Sequence, residues 1–438
     1  MTNRETQSAA PAQLVRIEKP IYGGAFLARL EGKAVFVPLT LPGEAVRARI
    51  GEDRRGYATA EAEEIVEAAP ERIAPACAHF GACGGCHYQH TNYPQQLEFK
   101  RAILRETLER GGVSAPAEIA VLAGEPWQYR NRIRLAFDAE GRVGYRGRRS
   151  HAVVPIAECP IAAPALVEAA LVAAEVLRSV APQLRPTEIA LFANRDETAL
   201  QASLFVRSAA KRPIDALASA LSERLPRLIG AEVVVESAPP GRRPAPPPRT
   251  AARWGEDAIV YRAAGFDYRV DHGAFFQVNR WLVDGLVERV TEGQRGKVAW
   301  DLFAGVGLFA RKLSESFERV VAVESAPAAT GALAANLKGT GGIPIKAATA
   351  GFLQREGKNE RPDLIVVDPP RTGLGAEITS ALSRIGAPSM VYVSCDPATL
   401  ARDLKALTGG GYAIESVAMA DLFPQTFHLE TLVRLRRA

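Results

Sequence analysis

The chain has 438 residues, 47% of them hydrophobic and 24% charged, with a net charge of +5. That length holds two or three domains, and the composition is that of an ordinary globular protein. Five cysteines do not make a disulfide scaffold in a chain this long, the first dozen residues lack the apolar core of a secretory signal, and the mild basic excess permits a nucleic-acid partner without demanding one.

Residues 1–12 are polar and read as disordered. From Leu14 to about Val66, short β runs are punctuated by Gly23-Gly24 and Pro42-Gly43, the pattern of a small barrel. Arg47, Arg49, Arg54 and Arg55 decorate one side, either as a solvated face or as phosphate contacts. Three cysteines follow, spaced as Cys77-x5-Cys83-Gly84-Gly85-Cys86. Pro94 to Gly111 predicts a helix, with Leu97, Ile103, Leu104 and Leu108 on one face and Gly111-Gly112 as its stop. Beyond Glu125, strands are expected at Arg132–Phe137, Thr187–Phe192, Ala199–Phe205 and Glu232–Val235, and helices at Ala163–Val180 and Pro213–Arg224. Glu168 and Glu175 interrupt the apolar stretch Ile161–Val180, so it predicts an amphipathic core helix and not a membrane span. Ala238–Pro248 is too rich in proline for a helix or a central strand and reads as a surface loop.

From Lys297 the pattern becomes regular. Strands Val298–Phe303, Arg319–Val323, Ile343–Ala347, Leu364–Val367 and Met390–Val393 alternate with helices that include Leu308–Phe317, Ala328–Leu337 and Ala398–Leu407. Two β runs, Ile414–Ala418 and Thr431–Leu435, close the chain. This βαβ series predicts an open, mostly parallel sheet covered on both faces.

Asp301-Leu302-Phe303-Ala304-Gly305-Val306-Gly307 falls where the first of these strands meets its helix. Its glycines let a ligand approach the backbone, and Glu324, 23 residues after Asp301, is placed to take ribose hydroxyls. The full G-x-G-x-x-G is missing, which favours an adenosyl cofactor without a pyrophosphate; a plain glycine turn with an edge acid is the alternative. In Asp368-Pro369-Pro370-Arg371 the prolines hold Asp368 at the sheet's carboxyl edge, as a ligand group or simply as a rigid turn. Cys395, in Ser394-Cys395-Asp396-Pro397, ends the next strand at a helix start. That placement favours a thiolate nucleophile over an inert buried cysteine. Cys159, in Glu158-Cys159-Pro160, makes four clustered thiols with Cys77, Cys83 and Cys86, a set that suits zinc and an iron–sulfur centre alike. Arg130, Arg132 and Arg134 alternate on one strand beside Tyr129, and Arg142, Arg146, Arg148 and Arg149 surround Tyr145. Arginines interleaved with aromatics suit RNA, or form a solvated charged hairpin.

Together these residues resemble one family, the S-adenosylmethionine-dependent RNA uracil-C5 methyltransferases. The resemblance runs through Phe275-Phe276-Gln277-Val278-Asn279, Asp301–Gly307, Asp368–Arg371, Ser394–Pro397 and His428-Leu429-Glu430-Thr431, in the family's order. It implies a Rossmann-like class I methyltransferase domain of the α/β class at 93–124 and 265–438, and a TRAM-like, OB-like β-barrel at 13–69. It further implies an α+β central iron–sulfur and RNA-binding domain at 70–92 and 125–264, with the Pro94–Gly111 helix packed on the methyltransferase sheet. Cys395 would be the nucleophile and Glu430 the base. Gln277, Phe303, Gly305, Gly307, Glu324 and Asp368 would bind S-adenosylmethionine, and Cys77, Cys83, Cys86 and Cys159 would hold a [4Fe–4S] cluster. The combination of TRAM domain and cluster resembles the 23S rRNA branch more than the bacterial tRNA branch, in a cytoplasmic, monomeric enzyme with no membrane partner. Ala304, Leu308 and Ala347-Ala348 depart from the family, which often carries polar groups or cysteine there. Rival readings are an amino-group methyltransferase, which would leave Cys395 and Glu430 idle, and a non-enzymatic RNA-binding protein.

Overall fold

The computed structural model describes residues 12–208, 211–236 and 248–438. The disorder expected at the N-terminus and the proline-rich loop lie almost wholly outside the described residues.

Strands β1 (Gln13–Pro20), β2 (Ala25–Leu30), β3 (Lys33–Pro38), β4 (Ala45–Asp53) and β5 (Tyr57–Glu67) close into a barrel in the order β1-β2-β3-β5-β4. Strand alternation sends Val15, Ile17, Phe26, Val35, Val37 and Val46 into its interior. On the outside, Arg47 pairs with Glu64 at 3.0 Å, Arg49 with Glu63 and Arg54 with Glu52. Three of the four arginines on that face are therefore paired with acids of the barrel itself, and phosphate contact by them would have to break those pairs.

Helix α1 (Tyr93–Arg110) begins where the Asn92 side chain accepts from the Gln95 amide at 2.9 Å, with Pro94 in the first turn. Its apolar stripe, Ile103, Leu104 and Leu108, is buried against the C-terminal sheet. Strand β6 (Ala120–Leu122) follows, too short to show an alternation in sequence.

The next sheet contains β7 (Arg132–Phe137), β8 (Val143–Arg146) and β9 (Val153–Pro155). After α2 (Pro164–Val180) come β10 (Pro186–Ala193) and β11 (Leu200–Val206); after α3 (Lys211–Arg224) come β12 (Leu228–Val235) and β13 (Arg249–Gly255). The strand order is β13-β12-β11-β10-β7-β8-β9. Leu166, Ala170, Ala173 and Leu177 of α2 pack with Leu217 and Leu221 of α3 over Ile189, Leu191 and Leu204. A hairpin of β14 (Ala258–Ala263) and β15 (Phe266–Asp271) leads onward. Its Tyr261 and Tyr268 pack with Phe276 in the core of the C-terminal sheet. A domain boundary at 264/265 would cut this hairpin in its turn.

The C-terminal part begins with α4 (Val283–Thr291) and β16 (Gly296–Leu302). It continues through α5 (Leu308–Leu313), β17 (Phe317–Glu324), α6 (Pro327–Asn336), β18 (Gly342–Lys346), α7 (Thr349–Glu356) and β19 (Leu364–Val367). It ends with α8 (Gly375–Ile385), β20 (Ser389–Ser394), α9 (Pro397–Gly409), β21 (Tyr412–Ala420) and β22 (Glu430–Arg437). Helix α5 is shorter than the periodicity of 308–317 predicts. Ser314 ends it, and Phe317 already belongs to the next strand.

The eight-stranded sheet has the order β18-β17-β16-β19-β20-β22-β21-β6. Side-chain alternation divides its core in two. Leu364 and Val366 face α4, α5 and α6, while Ile365 and Val367 face α1, α8 and α9. Helix α1 fits closely enough that a Cβ at Gly111 would meet Ala401 Cβ of α9 at 2.6 Å. Segment 93–122 thus completes a sheet made chiefly from the chain's last third. No helix among the described residues is long and apolar enough to cross a membrane.

Candidate active site

The chain runs outward from β16 to β17 and β18, then returns to place β19 on the other side of β16. The crevice at the carboxyl ends of β16 and β19 is the switch point where open α/β sheets bind ligands. Asp301, Phe303, Glu324 and Asp368 all lie at this edge.

The pairing of β20 with β22 sets Ser394 opposite Thr431 in antiparallel register. Cys395 directly follows that pair on one side and Glu430 directly precedes it on the other, so the two residues meet at the same end of the sheet although 35 residues separate them, and the Glu430 charge acts on the thiol. Asp368 ends β19, the parallel neighbour of β20 on its other side. Glu430 is 5% exposed. Burial, then the charge of Asp368, pushes its carboxyl well above the usual range, and Arg371 opposes the shift. Burial takes Asp368 up to about 7. Cys395 is pushed up to about 11 by burial first, then by Glu430 and Asp368, again against Arg371. Burial and these two acids oppose the thiolate that the helix start favours. The N-terminus of α9 is already satisfied, because Asp396 Oδ1 accepts from the Ala398 and Thr399 amides at 3.1 and 2.8 Å. Two carboxyl groups face the thiol instead.

On the cofactor side, Phe303 turns the chain in the left-handed region with φ of 67°, unusual for a non-glycine residue. Gly305 also has positive φ, and its Cα faces open space, which leaves room for a ligand. Gly307, with φ of 90°, also lies in the left-handed region, and a Cβ there would meet Leu333 at 2.8 Å, so the turn requires glycine whether or not a ligand is present. The Glu324 carboxylate accepts from the Gly305 amide at 2.8 Å and from the Ser325 and Ala326 amides at 2.7 and 2.6 Å, which ties the β16 and β17 turns together. Gln277 is buried, and its carbonyl accepts from the Asn131 side chain at 2.9 Å. Asp301 is fully buried; one oxygen accepts from the Ala310 amide at 2.9 Å and the other has no partner among the described residues. Burial raises it to about 7. Leu308 puts its carbonyl, not a side chain, to polar use, accepting from Tyr268 Oη at 3.0 Å.

Cys77, Cys83, Cys86 and Cys159 line one cavity of about 270 Å³, with Arg130 and Tyr145 in its wall. All are free thiols. The Gly85 amide donates to Cys83 Sγ at 3.4 Å, and the Tyr145 hydroxyl lies 3.8 Å from Cys159 Sγ. Burial raises Cys77 and Cys83 and takes Cys86 up to about 12, and a bound cation would oppose that rise. Among the described residues no three histidine, cysteine or acidic side chains stand close enough to hold one metal ion.

The arginines expected to face RNA are largely occupied. Arg132 lies over Phe192 at 4.5 Å, Arg134 bonds Glu188 at 2.5 Å, and Arg148 and Arg149 both reach Glu61 of the barrel. Partners 54 to 88 residues away hold Arg134, Arg148 and Arg149, and a local pattern gives no sign of them. The sequence pattern also missed Tyr22 of the barrel, whose hydroxyl donates to Asp396 Oδ2 at 3.2 Å.

Residues 12–62 match the TRAM domain, and residues 358–438 match the tRNA (uracil-5-)-methyltransferase family. The 23S rRNA (uracil(1939)-C(5))-methyltransferase RlmD of Halomonas elongata is 33% identical over 99% of this chain and 91% of its own length. An uncharacterized RNA methyltransferase of Aquifex aeolicus is 32% identical over 96% and 97%. Among solved structures, the tRNA (uracil-54, C5)-methyltransferase of Pyrococcus abyssi, in complex with S-adenosyl-L-homocysteine, has a TM-score of 0.74 at 24% identity and covers 97% of this chain and 100% of its own. The barrel and the doubly wound sheet are thus those of a known fold. With relatives at this identity along the whole chain, the protein belongs to the RNA uracil-C5 methyltransferase family.

Proposed function

We propose that the protein transfers a methyl group from S-adenosylmethionine to C5 of a uridine in RNA, with 23S rRNA the favoured substrate, through a covalent bond from Cys395 to C6. The supporting observation is the pairing of Ser394 with Thr431, which brings the adjoining Cys395 and Glu430 to the sheet edge where Asp368 follows β19.

Uracil C5 is a weak nucleophile. Addition of Cys395 sulfur to C6 moves the C5–C6 π electrons into an enolate, and C5 can then attack an electrophile. S-adenosylmethionine, when bound, would supply that electrophile as its sulfonium methyl, the S–CH3 bonding pair staying on sulfur so that a neutral thioether leaves. Glu430 next takes the proton from C5; the electrons of that C–H bond re-form the C5–C6 double bond and expel the thiolate. In the structure both groups have raised proton affinities. A positive charge near Asp368 would favour their ionised forms. On this reading the open space at Gly305 would take the adenosyl group, and Phe303, Glu324, Gln277 and Asp368 would bind the cofactor.

The four cysteines that line one cavity are the residues that would hold a [4Fe–4S] cluster; the all-sulfur donor set supports this reading, and the thiols would have to draw together around it. Such a centre supplies no electrons to methyl transfer, so it would shape the protein and its RNA surface. Anaerobically purified protein should then be brown, and Cys83→Ser should bleach it; colourless protein with one zinc per chain would refute the cluster. On this reading segments 70–92 and 125–264, with the barrel at 13–69, form the RNA-handling part.

The relatives named for 23S rRNA favour that substrate, while the solved structure named for tRNA supports the alternative. Transfer of labelled methyl to total RNA, followed by size separation, decides between them. Label in large-subunit rRNA supports the proposal, label in tRNA favours the alternative, and no label in either refutes both.

A further inference from the structure

Tyr22 comes from the tip of the β1–β2 hairpin, 374 residues from Asp396, the side chain it touches. Its hydroxyl donates to Asp396 Oδ2 at 3.2 Å, while Asp396 Oδ1 caps α9. Asp396 directly follows Cys395. The same tyrosine ring meets Phe427 edge-on at 5.5 Å, and Phe427 packs on His428 at 4.1 Å, two residues before Glu430. One barrel residue therefore touches both segments that carry the proposed catalytic pair. The approach is tight: Gly24 has φ of 85°, and a Cβ there would meet His87 at 2.6 Å and Phe427 at 3.1 Å. The hairpin reaches this position only with glycine at its tip.

We infer that Tyr22 is a positioning residue, through which the barrel holds the Cys395–Asp396 turn in register with Glu430. The inference rests on the proposed methyl transfer for its consequence but on this contact for its existence. It makes the barrel part of the catalytic centre as well as an RNA-binding attachment. Tyr22 acts through Asp396 and needs no contact with the uracil.

Tyr22→Phe tests this, because it removes the hydroxyl and keeps the ring on Phe427. Two readouts are needed. In single turnover at saturating RNA, methyl transfer should fall by about tenfold or more, the worth of one hydrogen bond to a charged group. In RNA-free protein, the rate of Cys395 alkylation by iodoacetamide, followed by peptide mass against pH, should have its midpoint moved. Releasing the turn changes how the thiol sits against Glu430 and Asp368, the charges that raise its proton affinity. The alkylation readout needs no substrate, so it stands even if the RNA assignment fails. Combining Tyr22→Phe with Asp396→Asn should cost little beyond Asp396→Asn alone. A Tyr22→Phe protein with wild-type transfer and an unmoved alkylation profile overturns the inference. A loss confined to RNA affinity, with the profile unmoved, overturns it as well.

Discussion

Two sets of buried acids in this protein are treated in opposite ways. Asp421 is fully buried with the Lys100 ammonium at 2.5 Å, and that lysine also donates to the Phe423 carbonyl at 2.9 Å. At the carboxyl edge of the sheet Asp301 and Glu430 are buried and Asp368 is half-buried; the three have no direct ion pair among the described residues, only the nearby Arg371 opposing the rise at Glu430, and burial raises all three. A paired buried charge locks two segments together; here it joins α1 to the loop before β22. A group of unpaired acids is costly to the fold unless a cation arrives. Such an arrangement is kept for binding and chemistry, and a sulfonium is a cation of the required kind.

The largest expected effects lie at the unpaired end. Cys395→Ala should abolish turnover and form no covalent complex with RNA. Glu430→Gln should still add to C6 and transfer methyl, then stall with the C5 proton in place, so a denaturant-resistant protein–RNA band should accumulate on gels. Normal turnover in either variant would refute the assigned roles. At the paired end, Lys100→Met should leave Asp421 buried without its cation and cost about 3–5 kcal/mol in urea unfolding. Adding Asp421→Leu should restore most of that loss, and a milder single effect would show that the pair is not a lock.

A titration should separate the two regions next. Asp301 has a folded pKa of about 7 against an ordinary 3.8. The folded state holds that proton more tightly than the unfolded chain, so the contribution of Asp301 is unpenalised below about 3.8 and is lost as pH rises through about 7. Asp301→Asn keeps an acceptor for the Ala310 amide and should remove this loss, so its stability relative to wild type should grow across that window. Each pH unit is worth at most about 1.4 kcal/mol. A parallel pair of curves would mean that Asp301 does not titrate there. The smallest effect belongs to the surface: Arg134→Ala, which breaks a half-exposed pair with Glu188, should change stability by no more than about 1 kcal/mol.

Much of this architecture could be read from local pattern. Leu364–Val367 reads as a buried strand because four apolar residues stop at Asp-Pro-Pro, and the strand is found there. The edge positions of Asp368 and Cys395 follow from where their strands end. What could not be read was set by distant partners. The thiol of Cys395 responds to Glu430 across a strand pair, whereas the local pattern shows only a helix start. The arginine-rich strand and hairpin look open to RNA until Glu188 and Glu61 are brought against them. Strand β6 has too few residues for a period, and strand β13, Arg-Thr-Ala-Ala-Arg-Trp-Gly, has no apolar alternation to reveal it.

The position of β6 also constrains how the protein is made. Ala120–Leu122 pairs with Ala418–Ala420, so a strand synthesised early waits for nearly the last residues of the chain before it has a neighbour. During that interval the apolar face of α1 has no sheet to cover it. Contacts of such long sequence separation form slowly and leave nascent chains prone to association. A polypeptide started at residue 265 would leave β21 as a bare edge and uncover the sheet face where Ile103, Leu104 and Leu108 now lie. Cut free at residue 265, this end of the molecule lacks the strand that closes one edge of its sheet and the helix that covers part of one face.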